Sequence, residues 1–186
     1  MKNALFILLI LCTITINVNA QGKFYSKTAS MSFHAGTSLE DIDAQTNTGT
    51  VVMDAQTGKL ESNVLIKAFQ FKRALMQEHF NENYMESSKY PKATFKGTIK
   101  NLSDVNFSKD GTYKVKVEGT MDIHGVQKPL TTDGTITVAG KNVKVNTNFI
   151  IATADYDIKI PGVVSDKIAK EVKVTVNSEL QPLVKK

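Results

Sequence analysis

The sequence predicts an all-β chain: one antiparallel sheet of about eight strands, closed into a barrel, with one short α-helix near one end. Three observations predict it. Apolar residues recur at every second position from Phe24 onward, turn signals cut that pattern into strand-length pieces, and only one segment keeps a helical period. The composition is that of one globular unit. Of 186 residues, 41% are hydrophobic and 22% charged, which supports a sizeable core and argues against a disordered or fibrous chain.

The first twenty residues read as a secretory leader. Lys2 is the only charge before Lys23, an apolar run spans Ala4 to Ile16, and the small Ala20 closes the segment. That run is shorter than the ~20 residues of a spanning helix. Cleavage after Ala20 leaves residues 21–186 as one domain, exported to the periplasm or out of the cell. Cys12 follows Leu11 rather than a small residue, which argues against a lipoprotein. Cys12 is the single cysteine, so the mature chain has no disulfide, thiol nucleophile or thiolate metal site.

The clearest strand runs from Gly111 to His124, with Tyr113, Val115, Val117, Met121 and Ile123 on one face and Lys114, Lys116, Glu118 and Asp122 on the other. The same alternation marks Ala93–Lys100, Val143–Ile151 and Val172–Leu180, and weaker copies lie at Ala29–Phe33, Gly49–Met53, Leu60–Phe69 and Leu130–Val138. Thr57-Gly58, Asp110-Gly111, Ala139-Gly140 and Pro161-Gly162 supply turns between them. A sheet with one apolar face is either covered or closed on itself, and the one helix, around Phe71–Asn81, is too small to cover eight strands. Closure also removes the edges. Several runs exceed the usual five or six residues, so the barrel is tall. Gly97, Gly119 and Gly134 fall at inward positions. They either ease the bends of a curling sheet or leave the lumen short of side-chain volume, and both can hold together.

Chemistry-bearing patterns are sparse. His34, His79 and His124 sit on different elements with no metal-type spacing and no local cluster of carboxylates, so no metal is expected. There is no G-x-S-x-G elbow, phosphate loop or dinucleotide fingerprint, and no cofactor is expected. Of 23 basic residues, Arg73 alone is arginine, which excludes a typical nucleic-acid reader. Lys92, Lys96, Lys100, Lys114, Lys116, Lys144 and Lys173 alternate with inward residues and mark the outer face. On the helix, Leu75, Met76 and Phe80 share one face. Two readings stay open for it: ordinary packing across a barrel end, or an apolar lid with adaptable methionine surface.

Three elements carry a resemblance. Lys89-Tyr-Pro-Lys-Ala-Thr-Phe95, Gly119-Thr-Met-Asp-Ile-His-Gly-Val-Gln-Lys-Pro129 and Asp155-Tyr-Asp-Ile-Lys-Ile160 come in that order across the mature chain. In these the sequence resembles the YceI-like, polyisoprenoid-binding family of exported bacterial proteins. Two departures stand out: Arg73-Ala-Leu-Met-Gln-Glu-His-Phe80 in place of an Arg-Asp-x-His-Leu helix motif, and Asp157 where glycine is frequent. The resemblance implies an extended, eight-stranded, lipocalin-like barrel whose apolar lumen holds a long isoprenoid such as a quinone tail or polyprenyl lipid.

The resulting expectation is a non-enzymatic binding protein that sequesters or carries such a lipid, with at most transient membrane contact. Lumen and lid are assigned to Phe33, Phe69, Leu75, Met76, Phe80, Phe95, Val117, Met121, Ile123, Phe149 and Ile151. Lys72, Arg73 and Lys128 are candidates for a charged headgroup. Two rivals accompany it. One is a side-chain-filled barrel serving as a structural or interaction domain. The other is a lipocalin-type isomerase or cyclase, for which Tyr113 and Thr132 are the inward polar candidates.

Overall fold

A computed structural model describes residues 22–183; the expected leader over residues 1–20, with Cys12, lies outside them. Strands β1 (Lys23–Gly36), β2 (Asp43–Asp54) and β3 (Lys59–Leu65) are followed by a 3-10 turn at Ile66–Ala68, the two-residue β4 (Gln70–Phe71) and helix α1 (Ala74–His79). Then come β5 (Lys92–Ile99), β6 (Gly111–Ile123), β7 (Val126–Ala139), β8 (Asn142–Ala152) and β9 (Ile168–Pro182). Each strand pairs antiparallel with its neighbours in the order β1-β9-β8-β7-β6-β5-β3-β2, and β1–β2 pairing closes the ring. The result is an eight-stranded barrel; β4 extends the line of β3 along β2.

Two predicted elements differ in detail. The run Leu60–Phe69 is not one strand, because the backbone turns at Ile66–Ala68 to bury Ile66 before resuming at Gln70. The helix is shorter than Phe71–Asn81. Arg73 is still extended at its N-cap, and past His79 the chain widens into a π-type turn over Phe80–Tyr84.

β1 and β2 alternate poorly in sequence because each carries a bulge. Pairing jumps from Ser26↔Val51 to Ala29↔Gly49 and then to Met31↔Thr46. Ser26 and Thr46 each accept a bond on the side-chain oxygen from the amide two residues on, which stabilises the extra residue. The bulges reset the parity, so Ser26, Ala29 and Met31 all face inward.

The two ends of the barrel are built differently. At one end the β2–β3 and β7–β8 hairpins and the β5–β6 connection leave a packed floor, with Met53, Ile99, Ile136, Val138, Val143 and Leu180 almost fully buried and Phe24 stacked on Phe107 at 6.0 Å. At the other end lie the β1–β2 loop, the helix-bearing segment, the β6–β7 hairpin and the β8–β9 connection.

Gly97 and Gly119 face each other across β5 and β6, and the Phe95 ring covers both. A Cβ on Gly119 would come within 2.3 Å of the Lys96 carbonyl and 2.7 Å of the Phe95 ring. These two glycines therefore serve the close approach of ring and backbone, and Phe95 fills the volume they spare. Gly119→Ala is expected to lower stability by ~1–3 kcal/mol. Gly162→Ala, where an added Cβ meets nothing within 4 Å, is expected to change it by less than ~0.5 kcal/mol. Urea unfolding of the two variants checks the contrast.

Candidate functional site

Above the packed floor the inward side chains leave a cavity of about 580 Å³, within the ~300–1,000 Å³ range of small-molecule sites. Its wall is aliphatic and aromatic, drawn from every strand of the ring. All eleven residues assigned to lumen and lid line it. Among those the sequence reading passed over are Met31, Val51, Val145, Val174 and Val176, whose plain alternation could have been read. Ser62, Thr94, Thr132 and Thr147 are polar but uncharged lining residues. The charged lining groups, Glu40, Arg73 and Lys167, and the imidazole of His79 come from the connections at the open end. Burial holds the phenols of Tyr84 and Tyr156 above the usual tyrosine range, with Asp155 adding to the effect on Tyr156, so both stay neutral.

Helix α1 and the turn after it cover part of the opening through aromatic packing. Phe33 lies 5.2 Å from Phe69, 5.3 Å from Phe80 and 5.8 Å from Phe71, and Phe71 lies 5.0 Å from Phe80. Phe80 packs against the barrel core and lines the cavity, and Leu75 and Met76 line it as well.

Ion pairs tie the rim together. Glu40 pairs with Arg73 and, at 3.9 Å, with Lys167, joining the β1–β2 loop to the helix and to the β8–β9 loop. Asp41 lies 3.0 Å from the Lys72 ammonium, and Asp43 2.8 Å from His34 Nδ1. This corrects the expectation that no carboxylates join the histidines: donor atoms of His34, Asp41 and Asp43 fall within 4.8 Å of one another. Lys72, however, already supplies the positive charge there. Of the headgroup candidates, Arg73 reaches the cavity mouth, whereas Lys72 turns to Asp41 and Lys128 lies exposed on β7 outside the lining. The two enzyme candidates are not brought together. Thr132 lines the cavity with its hydroxyl 3.0 Å from that of Thr147, while the Tyr113 hydroxyl donates to the Lys109 carbonyl outside the lining.

The barrel wall is parted along one seam. β7 and β8 are paired only from Gly134↔Thr147 to Ala139↔Asn142, although β6–β7 pairing runs from Ile123↔Val126 and β8–β9 pairing reaches Ala152↔Glu171. The hydroxyls of Thr132 and Thr147 sit at the fork.

The three sequence signposts meet beside the same end. The β6–β7 hairpin turns on His124 and Gly125, at φ 55° and 76°, as a two-residue primed turn requires. Tyr90 lies against this turn, 4.5 Å from the His124 ring, and its ring occupies the space a Cβ on Gly125 would need. His124 Nδ1 lies 3.1 Å from the Tyr156 carbonyl oxygen and Nε2 3.0 Å from Glu86. One imidazole thus joins the β6–β7 turn, the segment after β8 and the segment after the helix.

A model of the YceI-like domain family matches residues 14–180. The chain belongs to the YceI-like family. Solved structures share the YceI-like fold at low identity. A polyisoprenoid-binding domain from Saccharophagus degradans, implicated in plant cell wall breakdown, superposes with a TM-score of 0.75 at 13% identity, over 88% of this chain and 99% of that one. BcnA of Burkholderia cenocepacia gives 0.66 at 14% identity, over 82% and 95%. The Campylobacter jejuni YceI protein gives 0.54 at 19% identity, over 73% and 83%. No curated protein matches the sequence.

Two predictions follow from the rim and the clasp of this YceI-like domain. Lys72 holds the Asp41 carboxyl below the usual carboxylate range, and Asp41 in turn raises Lys72. The depressed acid contributes fully above its unfolded value of about 4, and the contribution is lost as pH falls through its lower folded value. For Lys72 the contribution is full below about 10.4 and is lost as pH rises through its raised value. The pair therefore persists across the neutral range. In carbon-detected NMR, Asp41 should titrate below the ordinary carboxylate range and move upward in Lys72→Met, which removes the largest cause of its lowering. His124→Ala should cost ~1–3 kcal/mol and accelerate amide exchange over Thr153–Ile158, because a buried carbonyl loses its donor.

Proposed function

We propose that this YceI-like protein is an exported binding protein that sequesters or carries a long-chain isoprenoid lipid, of quinone or polyprenyl type, without acting on it chemically. One observation carries the reading: a cavity of about 580 Å³ whose deep wall is aliphatic and aromatic, with charge confined to the rim. Such a wall favours an extended hydrocarbon, and its few polar groups, among them the hydroxyls of Ser62, Thr94, Thr132 and Thr147, carry no charge. The polyisoprenoid-binding description of one structural neighbour points to the same class. A leader-like residue 1–20 segment supports delivery across a membrane. A side-chain-filled barrel would have no use for such a cavity, and Tyr113 and Thr132, the pair considered for an isomerase or cyclase, are not assembled.

The mechanism is desolvation. Each buried carbon contributes ~0.8 kcal/mol, so three isoprene units supply ~12 kcal/mol gross. Association costs ~4–15 kcal/mol, so short terpenoids bind weakly and chain length decides affinity. At ~30 Å³ per water-sized group, the cavity accommodates about twenty carbons, or about four isoprene units. The rest of a longer chain, with its headgroup, lies at the mouth near Arg73 and Lys167.

Calorimetric titration with unphosphorylated prenols of increasing length tests the proposal. Affinity should climb with each added unit to about four and then level off. Equal affinity for all lengths, or no uptake of any of them, contradicts it.

A further inference from the structure

The most exposed aliphatic residues of the barrel gather around its mouth. Val163 is 89% exposed, Leu39 66% and Leu75 60%. Each sits at a tip. Leu39 lies in a tight turn closed by the Thr37 amide bonding to the Glu40 carbonyl, Val163 in the 3-10 turn at Gly162–Val164, and Leu75 in the first turn of α1. The three tips are neighbours, because the side chains beside them are joined. Glu40 pairs with Arg73 and Lys167, and the Thr37 hydroxyl donates to the Asp166 carbonyl at 2.8 Å. Leu75 itself lines the cavity, as do Glu40 and Val164 next to the other two tips.

We infer that these tips form a docking surface for a phospholipid bilayer, onto which the mouth settles so that an apolar chain passes between membrane and lumen without crossing water. The inference rests on the isoprenoid-binding reading above and adds to it where the ligand is exchanged. The chemistry favours a bilayer over a protein partner. The aliphatic groups stand apart on three separate tips and do not form a groove, and a bilayer accepts separate side chains without a shaped counterpart. The neighbouring charges are already paired: Glu40 with Arg73 and Lys167, and Asp41 and Asp43 with Lys72 at 3.0 and 4.0 Å. They approach the headgroup region nearly neutralised, so the contact is apolar and does not depend on anionic lipid. Continuity with the cavity completes the case, since the surface that would enter the interface is the rim of the hollow itself.

Flotation with vesicles of phosphatidylcholine and phosphatidylethanolamine, at about 0.15 M salt, tests the inference. The variant is Leu39→Ser with Val163→Ser; neither residue lines the cavity, so prenol binding in vesicle-free solution serves as the folding and function control. The wild-type protein should float with these zwitterionic vesicles, and the double variant should lose at least about tenfold in partition while binding prenol as before. Ile150→Ser, at a 55% exposed site on the outer wall of β8, should partition like the wild type. Val163→Ser alone, at the most exposed position, should give an intermediate loss. Three results overturn the docking surface: equal partition of wild type and double variant, with or without a loss of self-association in sedimentation; a wild type that does not float; or an equal loss from Ile150→Ser. Failure of the isoprenoid reading is distinguished by the control, in which the wild type then takes up no prenol whatever the vesicles do.

Discussion

Eight tilted strands closed on themselves enclose a volume that their inward side chains can either fill or leave partly free, and the balance between the two governs this protein. At the floor the choice is filling: Met53, Ile136, Val138, Val143 and Leu180 meet with almost no exposure. This packed end, with the continuous antiparallel ring around it, supplies the rigidity. Above it valines, isoleucines, methionines and the clustered phenylalanines line the wall, and about 580 Å³ remains between them. Stability and capacity are thus assigned to different levels of the same barrel.

Much of this was legible because β5, β6, β8 and β9 alternate cleanly, and Phe95, Val117, Met121, Ile123, Phe149 and Ile151, read from that alternation, line the cavity, whereas Tyr113 does not. What stayed hidden has specific causes. The bulges at Ser26–Thr28 and Thr46–Thr48 shift the parity of β1 and β2, so a strict two-residue period fails there although pairing continues. The turn at Ile66–Ala68 interrupts an apolar run that alternation alone reads as one strand. The inward glycines show how one pattern can conceal opposite uses: Gly97 and Gly119 accept the Phe95 ring, whereas Gly134 lies in the cavity wall. The rim clasp was beyond reach because Glu40 finds its partners 33 and 127 positions away, at Arg73 and Lys167. No local pattern encodes such a pairing.

The sequence elements that carry the resemblance serve both the architecture and the cavity wall. His124 and Gly125 make the primed turn, Tyr90 packs on it, and Tyr156 accepts a bond from the imidazole. These residues hold the open end in shape, while Phe95, Met121, Ile123, Ile158 and Ile160 of the same elements line the cavity. Solved relatives at 13–14% identity keep the fold over more than four fifths of this chain.

The central claim is that the upper barrel holds a hydrocarbon chain in space its own side chains do not occupy. An experimental density map of the protein purified from its native host tests this most directly. The account predicts elongated, continuous density running from the Phe33–Phe80 cluster down toward Ile136, with the surrounding side chains in the positions described above. Density in which those side chains have moved together and close the space would contradict it.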